Sequence, residues 1–144
     1  MTHQISADHL TIEKIGEIIY NNYKIELSDD ARKRIIKSRE YLDARIAKEE
    51  NPIYGVTTGF GSLCNVSISK DQLSQLQVNL IKSHACGVGE RLPNDIIKMM
   101  LLLKVQSLSY GFSGCKLDTV ERLVDIFNNN IYPVILEQGS LGAS

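Results

Sequence analysis

Three places in the chain carry side chains suited to chemistry: Tyr54, the Ser83-His84 pair, and the closing Ala143-Ser144. A phenol and an imidazole are both proton-transfer groups, and here both lie near glycines that let the backbone approach a ligand closely. Tyr54 opens Tyr54-Gly55-Val56-Thr57-Thr58-Gly59-Phe60-Gly61, His84 precedes Gly87 and Gly89, and Ser144 closes Gly139-Ser140-Leu141-Gly142-Ala143-Ser144. Each has a plainer reading. A tyrosine beside glycines commonly packs while its hydroxyl finds a partner. A histidine at a helix C-terminus is favoured by the dipole, and a small-residue loop is also what a tight turn needs. Gly55, Gly59 and Gly61 lack the spacing of a phosphate loop, and no Lys-Ser/Thr follows them. His84 and Cys86 lack the further ligands that a metal site requires, so no metal is expected. Cys86 and Cys115 read as small buried thiols.

The elements that must position these groups are mostly helices. Thr11 is placed to cap a first helix running to about Tyr20, with Leu10 and Ile15 as a hydrophobic staple. Ser28 caps a second, with Asp29 and Asp30 in its first turn, pairs to Lys33 and Arg34, and Ile35, Leu42 and Ile46 on one face. The glycines and β-branched residues of 54–61 predict a stiff, extended loop. Ser69 and Gln72 form a capping box and Ile68 and Leu73 a staple for a third helix, with Leu73, Leu76 and Leu80 at helical spacing and His84 near its end. Pro93 or Asn94 opens a fourth, ended by Gly111 and apolar nearly all round, which predicts burial inside a helix assembly. Val120, Leu123, Val124 and Phe127 mark a fifth, capped by Asp118 or Thr119 and fraying into Asn128-Asn129-Asn130. Ile131 to Leu136 reads as extended.

Composition narrows the class. With 144 residues, 43% hydrophobic and 23% charged, the chain is long enough for a real core. Lys and Arg total 16 against 17 Asp and Glu, a net charge of -1, which argues against a nucleic-acid or anionic-membrane surface. Cys64, Cys86 and Cys115 form no CxxC pair or disulfide framework, which fits a reducing cytoplasm. The most apolar window, 96–108, is too short and too polar to span a bilayer.

Taken together, four blocks in order resemble one family, the histidine and aromatic amino acid ammonia-lyases. They are residues 54–61, the stretch from Asn79 to Gly89 around Ser83-His84, Leu108-Ser109-Tyr110-Gly111-Phe112-Ser113-Gly114, and the closing Gly-Ser-Leu-Gly-Ala-Ser. The resemblance covers residues 52–144, and the region before it only in helical texture. It implies a mainly α, L-aspartase/fumarase-like helical bundle with short extended segments and glycine-rich active-site loops. Residues 1–144 would be the N-terminal region of a larger subunit, ending within an Ala-Ser-Gly triad. In that family the triad cyclises to 4-methylideneimidazol-5-one (MIO): the glycine nitrogen attacks the alanine carbonyl and the serine loses water. Ala143 and Ser144 match the first two members, and the following residue would be the glycine. No external cofactor is implied.

By the same resemblance Tyr54 is the proton-transfer tyrosine beside the prosthetic group, and His84 contacts the substrate side chain with Ser83 beside it. Leu80, one turn earlier, lines the same pocket or packs in the core. The Ser83-His84 pair fits histidine as substrate, with urocanate as product, and tyrosine second, as a lyase or aminomutase substrate. A cytoplasmic homotetramer with shared active sites is implied, with an amino acid as its small-molecule partner. The reading from another class is a non-catalytic helical fragment or assembly module. Lys104, Gln106 and Leu136 depart from residues common in the family, arginine, asparagine and proline respectively.

Overall fold

In the computed structural model, which describes residues 1–48, 53, 54, 56, 58 and 72–139, the first helix begins where the sequence places its cap. α1 (Ile12–Tyr20) starts with the Thr11 side chain accepting from the Lys14 N–H at 3.2 Å. Two short strands flank it, β1 (Thr2–Ile5) and β2 (Lys24–Leu27), and they pair in parallel, Ile5 opposite Leu27. Parallel strands need a crossover, and α1 supplies it in a minimal β-α-β unit. The helical texture of this region concealed both strands, since four residues with one or two apolar positions give little period-2 signal.

α2 (Asp29–Lys48) is capped by Ser28, whose Oγ accepts from the Ala31 N–H at 3.2 Å, and Asp30 pairs with Arg34 as expected. Further elements are α3 (Leu73–His84), β3 (Val88–Arg91), α4 (Asn94–Ser109), α5 (Leu117–Asn128) and β4 (Leu136–Gln138), the last antiparallel to β3. The fold is mainly helical, as expected. Among the described residues no helix is long and apolar enough to cross a membrane.

The chain divides into two compact units, Met1–Asp43 with Leu92–Val134, and Ala44–Arg91 with Ile135–Ser144. All the buried apolar side chains among the described residues belong to the first, with Ile5, Ile18, Ile25, Ile35, Leu102, Val105, Val120 and Phe127 at its centre. α4 is buried on one side only: Ile97, Leu101 and Val105 face the core, while Ile96, Met100 and Leu103 stay about 40% exposed.

The asparagine run after α5 is a set of partners, not a frayed end. Asn128 Oδ1 accepts from the Ile25 N–H and its Nδ2 donates to the Ile25 carbonyl, both at 2.8 Å. One side-chain amide thus closes the free edge of β2 as a neighbouring strand would. Asn129 Nδ2 donates to the Asp125 carbonyl at 2.8 Å. Asn130 sits at φ 53°, as Asn22 does after α1. The Oδ1 atoms of both accept from Nζ of buried Lys98, which also stands 5.0 Å from the centre of the Phe127 ring. Burial holds the Lys98 ammonium below the usual lysine range. The α5 start also differs: Lys116, not Asp118 or Thr119, is the cap residue, and its carbonyl accepts from the Thr119 N–H at 3.1 Å.

Gly111 and Gly114, part of the third sequence block, let the end of α4 lie against α2. Gly111 is at φ +77° with its missing Cβ position 2.7 Å from the Arg34 carbonyl oxygen. Gly114 is at φ +65° and faces Leu42, and its N–H donates to Ser38 Oγ at 3.0 Å. The Arg34 Nε donates to the Ser109 carbonyl at 3.1 Å, closing the same junction.

Candidate functional site

Tyr54, Leu80, Ser83 and His84, four of the six expected site positions, fall in the second unit. α3 positions three of them. Leu80 and His84 lie one turn apart on a half-buried side of the helix, while Val78 and Ile81 are exposed. The helix begins at Leu73, with Gln72 in the cap position making no side-chain cap bond. The capping box and staple proposed at Ser69 and Ile68 lie outside the described residues.

The end of α3 is tied up by side chains. Ser83 Oγ donates to the Leu80 carbonyl at 2.9 Å, His84 Nδ1 lies 2.8 Å from the same oxygen, and Ser83 Oγ lies 2.9 Å from His84 Nδ1. The free carbonyls of a helix C-terminus want donors, and Lys82 and His84 in the last turn also suit its negative dipole end. The chain then turns sharply at Ala85, φ -78° and ψ 76°, with the Cys86 N–H on the His84 carbonyl at 2.9 Å. That is an inverse γ-turn. It sends the chain into β3, where Val88 pairs with Gln138 and Arg91 with Leu136. The strand pair therefore lays the segment just after His84 beside the segment that leads to Gly139 and on to Ala143-Ser144.

Tyr54 is 63% exposed and lies in a turn closed by the Val56 N–H on the Ile53 carbonyl at 3.0 Å. Among the described residues of 54–61, Tyr54 and Val56 lie in this turn and buried Thr58 in a bridge, so the expectation of an extended chain is corrected at Tyr54 and Val56. Ala143 and Ser144 lie outside the described residues. The structure thus brings Leu80, Ser83 and His84 into direct contact and sets Tyr54 in the same unit.

Two features escaped the sequence reading. Gln72, Gln75, Leu76 and Asn79 line a cleft of about 250 Å³ along α3, with Gln75 Nε2 donating to Asn79 Oδ1 at 2.8 Å. The polar residues at i, i+3 and i+7, Gln72, Gln75 and Asn79, were the available signal. Cys86 is exposed and Cys115 half-buried, so neither is the buried thiol expected: Cys86 sits on the turn out of α3. Among the described residues no group of three or more His, Cys, Asp or Glu could hold a metal ion.

Comparison with known proteins gives this arrangement its context. The chain is 46% identical over 146 aligned residues to a histidine ammonia-lyase of Streptococcus gordonii, a match covering 100% of this chain and 28% of the relative. The chain therefore spans well under a third of the length of such relatives. Among solved structures, histidine ammonia-lyase from Trypanosoma cruzi superposes with a TM-score of 0.86 at 36% identity, covering 99% of this chain and 27% of that one. The ergothioneine-degrading ergothionase of Treponema denticola superposes at 0.92 and 27% identity, covering 99% and 28%. The family model described as "Aromatic amino acid lyase" matches residues 10–144, nearly the whole chain, and so this chain belongs to the aromatic amino acid lyase family.

Proposed function

We propose that this chain is the N-terminal part of a histidine ammonia-lyase subunit, which eliminates ammonia from L-histidine to give trans-urocanate. The observation that carries the reading is identity of 46% to a histidine ammonia-lyase along the entire chain, with Ser83-His84 meeting at the end of α3. In the reaction a β-carbon proton is removed, the Cα–N bond breaks, its electron pair leaves with the nitrogen as ammonia, and a carbon–carbon double bond forms.

The electrophile proposed is MIO, built from Ala143, Ser144 and a following glycine; it supplies a carbon that takes up electron density from the substrate. The residue types fit: a small residue, a hydroxyl that can leave as water, and a run of small residues that follows β4 in the sequence. This chain contributes four further residues. Tyr54, exposed on its turn, moves a proton at its hydroxyl, and His84 holds the substrate ring through its imidazole. Leu80 lines the pocket beside it, and Ser83 steadies the histidine. The second unit contributes no buried apolar side chain among the described residues, which suits a site completed by the rest of the subunit and by neighbours in a cytoplasmic homotetramer.

Mass spectrometry of the complete subunit tests the electrophile. The peptide holding Ala143 and Ser144 is expected to be lighter by two waters, and Ser144→Ala to abolish both the mass change and turnover. An unmodified peptide leaves only the non-catalytic module.

A further inference from the structure

We propose that the end of α3 locks His84 as the Nδ1–H tautomer, so that Nε2 meets the substrate as a hydrogen-bond acceptor, with Ser83 as the positioning residue. Three atoms converge there: the Leu80 carbonyl oxygen, Ser83 Oγ and His84 Nδ1, separated by 2.8 to 2.9 Å. A carbonyl oxygen only accepts, so the two atoms facing it must each bring a hydrogen. The hydroxyl hydrogen of Ser83 serves the Leu80 oxygen. Its Oγ lone pair then faces Nδ1, which again calls for hydrogen on Nδ1.

The reverse assignment fails on the same distances. With Nδ1 bare, its lone pair would face that of the Leu80 oxygen at 2.8 Å, and no hydroxyl rotation could relieve both contacts. A neutral imidazole carries one N–H, so Nε2 is left with its lone pair outward. Nδ1 is consumed by its own helix and takes no part in substrate contact or proton transfer.

The consequence is a rule about the ligand. A side chain that offers a ring N–H or O–H satisfies Nε2; one that offers none leaves it unpaired. The ligand part of this inference rests on the lyase reading, whereas the tautomer does not.

Nitrogen NMR with 15N-histidine separates the two. The chain holds only His3, His9 and His84, and His84→Gln assigns the third ring by loss of its signals. With the ring neutral, His84 is expected to show a pyrrole-type, proton-bearing Nδ1 and a pyridine-type Nε2. Ser83→Ala is expected to shift this toward a tautomer mixture and Ser83→Thr to restore it. A proton-bearing Nε2 in the unsubstituted chain, or no response to Ser83→Ala, overturns the proposal. In the complete subunit, 3-(imidazol-4-yl)propanoate is expected to inhibit about tenfold more tightly than its thiazol-4-yl counterpart, which has no ring N–H. That preference should vanish in His84→Ala, weaken several-fold in Ser83→Ala and return in Ser83→Thr. If it persists in His84→Ala, the acceptor role is wrong. A subunit that keeps the Nδ1–H signature yet deaminates no amino acid overturns the lyase reading and leaves the tautomer standing.

Discussion

Replacing Gly111 with alanine tests how the end of α4 is held to α2. Gly111 has φ +77°, and an added Cβ would sit 2.7 Å from the Arg34 carbonyl oxygen and 2.8 Å from the Arg34 Cβ. A left-handed alanine costs about 1–2 kcal/mol. Overlap with helix backbone adds about 1–3 kcal/mol, since main-chain atoms cannot swing away. The smaller entropy of the unfolded alanine chain returns about 0.4–1 kcal/mol. The net expectation is a loss of about 3 kcal/mol, in a range of roughly 1 to 5. Gly114→Ala is the internal control. It shares the strain, at φ +65°, but its Cβ would meet Leu42 Cδ2 at 2.6 Å, the far end of a flexible side chain. Its cost should be nearer 1–2 kcal/mol. Leu42→Ala should relieve part of it in a double-mutant cycle, with coupling of about 1 kcal/mol, and relieve none of Gly111→Ala. Urea unfolding reads this as shifts of the midpoint at constant slope. A Gly111→Ala midpoint within about 0.5 kcal/mol of the parent, or equal relief of both variants by Leu42→Ala, would refute the packing argument.

Asn128→Ala should cost about 2 kcal/mol, because it strips partners from both the N–H and the carbonyl of Ile25, and Asn129→Ala less than about 0.5 kcal/mol; equal costs would contradict the strand-edge role. His3 gives a pH signature. Burial, with the Lys14 charge adding, holds its imidazole below 6.5 despite Glu17. The unfolded chain therefore takes up the proton first, so stability falls as pH drops below 6.5 toward the folded value. His3→Gln should flatten the slope in that window, and an unchanged slope in urea titrations at several pH values would remove His3 from the account. Tyr54→Phe in the complete subunit keeps the ring and deletes the hydroxyl; kcat should fall about 100-fold or more with the urea midpoint little changed. Retained kcat would deny Tyr54 a proton-transfer role.

The legible part of the sequence was the part written in periodic apolar residues and caps. Thr11, Ser28, Pro93 and Gly111 placed helix ends correctly because each acts through its own backbone neighbourhood. The end of the third helix near His84 was legible for the same reason: the side chains that close it lie within one helical turn. What was hidden depends on residues far apart in sequence. Lys98 looked like an interruption of an apolar helix, yet its ammonium finds Asn22 and Asn130, 76 and 32 positions away. Asn128 looked like a frayed end because its partner, Ile25, is 103 residues upstream. The turn at Tyr54 was misread as extended, since β-branched neighbours signal strand propensity and carry no sign of the Ile53–Val56 bond.

The central claim concerns what the complete subunit makes. Supplied in parallel with L-histidine and L-tyrosine, it is predicted to release urocanate and ammonia in equal amounts, with kcat/KM for histidine about 100-fold or more above that for tyrosine. Coumarate or a β-amino acid as the dominant product would contradict the assignment to histidine, and absence of any product from a folded subunit would contradict the lyase reading itself.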